Sequence, residues 1–260
     1  MGPKPEQTIR KIDKEIVLDA SPETVWRMLT DPHELTRWFP LEAGVVPGEG
    51  GKISLSWGPE WTGTSPIEIW EPNHRLRTVG EPVIVEWIIE SRGGKTILRL
   101  VQSFFETGAE WENEFFDSTN YGWDFMLTNL RHYLARHSGQ PRQVAWPRHK
   151  VEMPRAAVYE KLAGSGGIFV EGVQNLKPGS PYALRTGTAE SWSGRTEFIV
   201  PGRGFCVTVA SLNDALAWLT IEGGGPEHDA QLWFSTYNVP QSQVREIETR
   251  WAGELKRILG

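Results

Sequence analysis

Gly93-Gly94-Lys95-Thr96 has the ending of a phosphate-binding loop, in which backbone N–H groups and a lysine cradle phosphates. The leading glycine of such a loop belongs at position 89, where Ile89 stands, and a strand pattern follows where a helix should open, so the segment reads as a hairpin turn. Gly48-Glu49-Gly50-Gly51 departs from the dinucleotide-binding pattern in a similar way, because it leads into a strand and sets an acid where phosphates would approach. The six histidines are scattered. His132 and His137 are five apart, whereas two ligands on one helical face sit three or four apart, so no metal site is expected. The sequence has no Gly-x-Ser-x-Gly elbow, and Cys206, inside the apolar run Phe205-Cys206-Val207, reads as a core thiol. No catalytic residue and no cofactor is assigned.

Two polar features stay open. The acids Glu106, Glu110, Glu112, Glu114 and Asp117 can hold a general acid at a cavity mouth or form a solvated acidic loop. Gln102 breaks an apolar alternation on an inward face, and its amide needs a buried partner, supplied by protein or by ligand.

The elements that must position these residues follow from pattern. Ser21-Pro22-Glu23 opens a short helix with an N-cap and a proline at the first helical position, and Asp31-Pro32 opens a second that ends near Trp38-Phe39. Then the period changes to two: Ile53, Leu55 and Trp57, next Val83, Val85, Trp87 and Ile89, then Leu98, Leu100, Gln102 and Phe104. Asp117-Ser118-Thr119 predicts the cap of a long helix carrying Trp123, Met126, Leu127, Leu130, Tyr133 and Leu134 at helical spacing, with Gly139 beyond its end. A curved sheet gripping that helix buries both apolar faces. Residues 137–149 read as a linker, which gives domains of 1–140 and 141–260.

The second part repeats the first. Val25, Trp26 and Leu29 fall on Val158, Tyr159 and Leu162 at an offset of 133. Thr62-Gly63-Thr64 recurs as Thr186-Gly187-Thr188 at 124, and Leu130 to Leu134 matches Leu255 to Leu259 at 125. The drop in offset predicts that the second copy has lost about nine residues, the Asp31 to Phe39 helix. Its own terminal helix carries Val244, Ile247, Trp251, Leu255 and Ile258 on one stripe.

Bulk composition narrows the class. Of the 260 residues 39% are hydrophobic and 23% charged, as in an ordinary folded protein. The first 140 residues carry 14 Lys and Arg against 21 Asp and Glu, and the rest 13 against 12, so neither part has the basic surface that nucleic acid demands. No run is long and apolar enough to span a membrane, the polar start is unlike a signal peptide, and the single cysteine suits a reducing compartment, so a cytoplasmic protein is expected.

The run Ser21 to Phe39, with Gly50-Gly51-Lys52-Ile53, the Glu71 to Leu76 turn and Gly122-Trp123, resembles the bacterial activator-of-heat-shock-ATPase-like branch of the SRPBCC (START-like) superfamily over roughly residues 15–136. The second part resembles the same fold loosely. The resemblance implies an α+β architecture of tandem helix-grip domains, each a curved antiparallel sheet around a long C-terminal helix, with a cavity between them. Its functions include carrying hydrophobic ligands, polyketide cyclisation and stimulation of a chaperone ATPase.

The expected activity is therefore non-catalytic binding of a hydrophobic or aromatic small molecule in the first domain. The candidate lining is Trp57, Trp87 and Ile89, with Gln102, from the strands, Trp123, Met126, Leu130 and Tyr133 from the helix, and Trp38 near an entrance. These thirteen-tryptophan-chain aromatics can equally fill a solid core. A cyclase-like proton shuttle through Tyr133, Gln102 or an acid, and an interaction module acting on a chaperone ATPase through the acidic surface, are the alternatives. The first copy is expected to hold the ligand, because Gly164-Ser165-Gly166-Gly167 in the second is a flexible run ill suited to walling a pocket.

Overall fold

The computed structural model describes residues 9–80, 83–105, 109 and 111–260. The chain forms two compact units, Met1–Ser138 and Gly139–Gly260. Both are α+β helix-grip units, and no helix among the described residues is long and apolar enough to cross a membrane.

The first unit runs β1 (Ile9–Leu18), α1 (Pro22–Thr30), α2 (Pro32–Leu35), β2 (Glu42–Val46), β3 (Lys52–Ser56), β4 (Thr62–Glu71), β5 (Arg75–Val79), β6 (Val83–Arg92), β7 (Lys95–Phe105) and α3 (Trp111–His132). Its seven strands are antiparallel in the order β1-β7-β6-β5-β4-β3-β2. The β6–β7 hairpin closes on Gly93 and Gly94, both at positive φ, as a tight turn of right-handed twist requires. The lysine after them therefore belongs to a hairpin. Ser21 caps α1 by accepting from the Thr24 N–H at 3.3 Å, and the helix buries Val25, Trp26, Met28 and Leu29. Asp31 caps α2 by accepting from the His33 and Glu34 N–H groups at 2.8 and 3.2 Å.

Two expectations about the long helix need correction. It begins at Trp111, so Asp117, Ser118 and Thr119 lie inside it. Glu112 and Glu114 occupy its first turn, where acids favour the positive end of the helix dipole. Phe115 and Phe116 already pack edge-on against Phe104 of β7, and this tertiary contact outweighs the capping signal further along. At its other end α3 continues as a π-helical turn, Tyr133–His137. The i to i+5 bonding of that turn brings residues five apart together, so His132 and His137 stand with ring centroids 5.1 Å apart. Among the described residues no group of three or more His, Cys, Asp or Glu side chains is placed to hold a metal.

The second unit runs β8 (Arg142–Ala145), β9 (Arg148–Glu152), α4 (Arg155–Ala163), β10 (Pro181–Arg185), β11 (Ser191–Val200), β12 (Gly204–Val209), β13 (Ala215–Glu222), β14 (Glu227–Tyr237) and α5 (Gln241–Leu259). Its sheet has the order β10-β11-β12-β13-β14-β8, with β9 also on β14. Much of the stretch read as linker is thus β8 and β9, one edge strand broken at Pro147, which has no N–H to give a ladder. Cys206 is fully buried on β12.

Matching strand to strand revises the internal repeat. The α1 to α4 offset is 133, as the sequence indicates, but Lys52 corresponds to Pro181 and Thr62 to Ser191, an offset of 129 on both strands. Thr186-Gly187-Thr188 is a turn before β11, and its likeness to the start of β4 is coincidental. The second unit lacks counterparts of both α2 and β2. An irregular segment of nearly the same length replaces them, so only four residues are lost. That segment is also no loose flap. Gly167 turns tightly, since a Cβ there would lie 2.3 Å from the Leu162 carbonyl oxygen, and the chain then inserts Ile168 and Phe169, both fully buried.

Asp31→Ala removes the cap that starts α2. We expect a loss of about 1 kcal/mol in the urea unfolding of the first unit, with the second unit's transition unchanged. An unaltered first transition would mean that α2 is held without its cap.

Candidate ligand-binding cavity

After α2 the chain carries Trp38 and Phe39 down onto the sheet. Trp38 is fully buried, its indole Nε1 donates to the Met28 carbonyl at 2.9 Å, and its own carbonyl accepts from Asn129 Nδ2 of α3 at 2.6 Å. Phe39 stacks on Trp38 and on Trp123 with ring centroids 5.0 Å apart in each case, and meets Trp57 edge-on at 5.0 Å. Trp87 stands edge-on to Trp38 at 6.2 Å and to Trp123 at 5.4 Å. These rings form part of the wall of a cavity of about 160 Å³ that opens to solvent. The sheet completes it with Ile53, Leu55, Leu76 and Val85, the helices with Leu29 and Leu35.

The polar wall is sparse. Ser65 of β4 and Thr78 of β5 border the cavity, and Gly63 lies at its exposed rim. Trp123 donates its indole N–H to Gln102 Oε1, so this buried amide has a protein partner and braces a cavity ring from behind. Among the described residues, the Ser65 and Thr78 hydroxyls and the indole N–H groups of Trp57 and Trp87 have no protein partner, yet none is sealed in the core. No charged residue among those described borders the cavity.

Of the residues the sequence singles out, Trp38, Trp57, Trp87 and Trp123 border this space. Ile89, Met126 and Leu130 are buried elsewhere in the core of the first unit, and Gln102 acts through Trp123. Tyr133 is 1% exposed and does not border the cavity: its hydroxyl donates to Glu34 Oε2 at 3.1 Å and accepts from Arg37 at 3.0 Å. That hydrogen bond is the main reason the Arg37 guanidinium holds its proton more strongly than usual. The trio fastens α2 to the end of α3. Glu112, Glu114 and Asp117 lie on the first turns of α3 and do not border the cavity, while Glu106 and Glu110 fall outside the described residues. Sequence reasoning missed Phe39, Ser65 and Thr78. Phe39 follows Trp38 directly, and Ser65 could be found by carrying the period of two along β4; Thr78 needs the β5 register.

The second unit provides an internal comparison at the offset of 129. Gly63 corresponds to Trp192, as the pairs Leu55 with Gly63 and Leu184 with Trp192 confirm. Trp192 is buried among Phe169 at 5.8 Å, Trp251 at 4.9 Å and Phe234 at 5.7 Å. Thr78 corresponds to Val207 and Leu76 to Phe205, both fully buried. Buried rings thus stand in the second unit at the positions of Gly63 and Leu76 in the first.

The curved antiparallel sheet closed by a C-terminal helix places both units among helix-grip proteins. Residues 19–135 match the family model described as "Activator of Hsp90 ATPase homolog 1-like protein". No curated protein matches the chain. Among solved structures, the Aha1 dimer from Colwellia psychrerythraea is similar over 50% of this chain and 99% of its own, at 19% identity and a TM-score of 0.44. CalU16 from Micromonospora echinospora is similar over 49% of this chain and 77% of its own, at 25% identity and a TM-score of 0.41. DynU16, encoded in the dynemicin biosynthetic locus, is similar over 96% of each chain, at 16% identity and a TM-score of 0.43.

Tyr133→Phe removes the hydroxyl that joins Glu34 and Arg37 while keeping the ring. The first unit should lose about 1–3 kcal/mol in chemical denaturation, because two partly buried charged groups lose a shared partner. A midpoint equal to that of the parent would show that the trio does not hold α2.

Proposed function

We propose that the first unit is a non-catalytic receptor for an apolar or aromatic small molecule, held between the sheet and the Trp38–Phe39 segment. The observation that carries the reading is the glycine at position 63, set against Trp192 in the second unit. One sheet design is used twice, and the open copy is the one whose wall offers ring faces with few polar groups, as ligand pockets commonly do. Its volume compares with the roughly 150 Å³ of an apolar cavity known to admit benzene. The second unit serves on this reading as a packed partner domain without a ligand of its own.

The variant Gly63→Trp tests it by copying the second unit's solution into the first. A Cβ at Gly63 meets no atom within 4 Å, and the backbone there needs no positive φ, so the strand itself presents no obstacle to the substitution. Calorimetric titration with benzene should show saturable binding to the parent and to Gly63→Ala, and none to Gly63→Trp. Equal binding by a folded Gly63→Trp protein would contradict the proposal.

A further inference from the structure

We infer that the cavity selects an uncharged, oxygen-bearing aromatic molecule of about one ring, with Thr78 as the residue that recognises its oxygen. This rests on the reading of the cavity as a ligand site and adds what the ligand must carry.

The cavity wall holds polar groups left without protein partners among the described residues. In the Ile67, Thr78 and Val85 row across β4, β5 and β6, Ser65 stands one step back on β4 and Trp87 one step forward on β6. Side chains two apart share a face, so Ser65, Thr78 and Trp87 form a diagonal across three adjacent strands, each roughly 7 Å from the next. All three border the cavity, and among the described residues none of their side-chain polar groups has a protein partner. Two other indoles on the wall do have partners, Trp38 through Met28 and Trp123 through Gln102. Of the four wall indoles, Trp38 and Trp123 are thus satisfied within the protein, whereas among the described residues Trp57 and Trp87 have no protein partner and keep a donor available beside the Ser65 and Thr78 hydroxyls. An indole N–H can only donate, and a hydroxyl facing it can donate as well.

The occupant that completes this wall brings an acceptor. A carboxylate would meet no cation, since no charged residue among those described borders the space, and its desolvation would go uncompensated. A quaternary ammonium would find ring faces, but it would leave every donor unpaired and would meet no counter-charge. A carbonyl, phenol or ether oxygen on a neutral ring gives the central hydroxyl of the diagonal, Thr78, an acceptor at no cost in charge burial. The second unit places Val207 where the first has Thr78, in the copy that is filled. This also shows that the fold accepts valine at that register.

The experiment measures binding of acetophenone, ethylbenzene, benzoate and benzyltrimethylammonium to the full chain and to Thr78→Val and Thr78→Ser by calorimetry. The parent should bind acetophenone about tenfold or more tightly than ethylbenzene, although ethylbenzene is the more apolar. Thr78→Val should erase that preference by weakening acetophenone alone, and Thr78→Ser should keep it. Ethylbenzene preferred by the parent, or a preference unchanged in a folded Thr78→Val protein, overturns the inference while the cavity reading stands. Benzoate or the ammonium bound as tightly as acetophenone overturns the requirement for a neutral ligand. If no probe binds, the underlying reading falls as well.

Discussion

An open space inside a protein persists only where its walls are prevented from closing, and here the walls are fixed by hydrogen bonds made on the far side of the rings. Trp38 is held through its indole by Met28 and through its carbonyl by Asn129, itself fully buried. Trp123 is held by Gln102 from the neighbouring strand. Each bond takes a buried polar group that would otherwise be costly to desolvate and uses it to set the orientation of a large ring. Phe39 needs no such bond because stacking on both Trp38 and Trp123 already fixes it. The remaining rigidity comes from α2, capped by Asp31 and fastened to the end of α3 through Glu34, Arg37 and Tyr133.

The two units show how little of the scaffold must change to close such a space. Their strands correspond residue for residue over β3 to β4 and β10 to β11, yet Gly63 becomes Trp192, Leu76 becomes Phe205, and the segment that replaces α2 and β2 delivers Phe169 into the interior. Interiors are packed nearly as densely as organic crystals, so the filled unit is the ordinary outcome and the open one requires explanation. The binding role proposed for the first unit would supply it.

Much of the fold was legible in sequence because burial enforces periodicity. The alternation of Ile53, Leu55 and Trp57 and the helical stripe from Trp123 to Leu134 each report a face that must leave water. What escaped was settled by contacts between distant residues. Asp117 looks like a helix cap until Phe115 and Phe116 are seen against Phe104, and the π turn that unites His132 with His137 carries no local signature. Thr186-Gly187-Thr188 imitates Thr62-Gly63-Thr64 letter by letter, whereas the true counterpart of Gly63 is a tryptophan, the least similar residue available. Four tryptophans on the cavity wall could be named from sequence, since large inward rings are visible as such. Thr78 could not, because its importance lies in the absence of a partner for its hydroxyl.

The central claim is that the first unit keeps an apolar space open while the second does not. Diffraction from crystals equilibrated with xenon under pressure tests this most directly, because xenon enters apolar cavities irrespective of their chemistry. The account predicts a xenon site bordered by Trp38, Trp87 and Trp123, and none among Phe169, Trp192 and Trp251. Xenon absent from the first unit, or present within the core of the second, would contradict it.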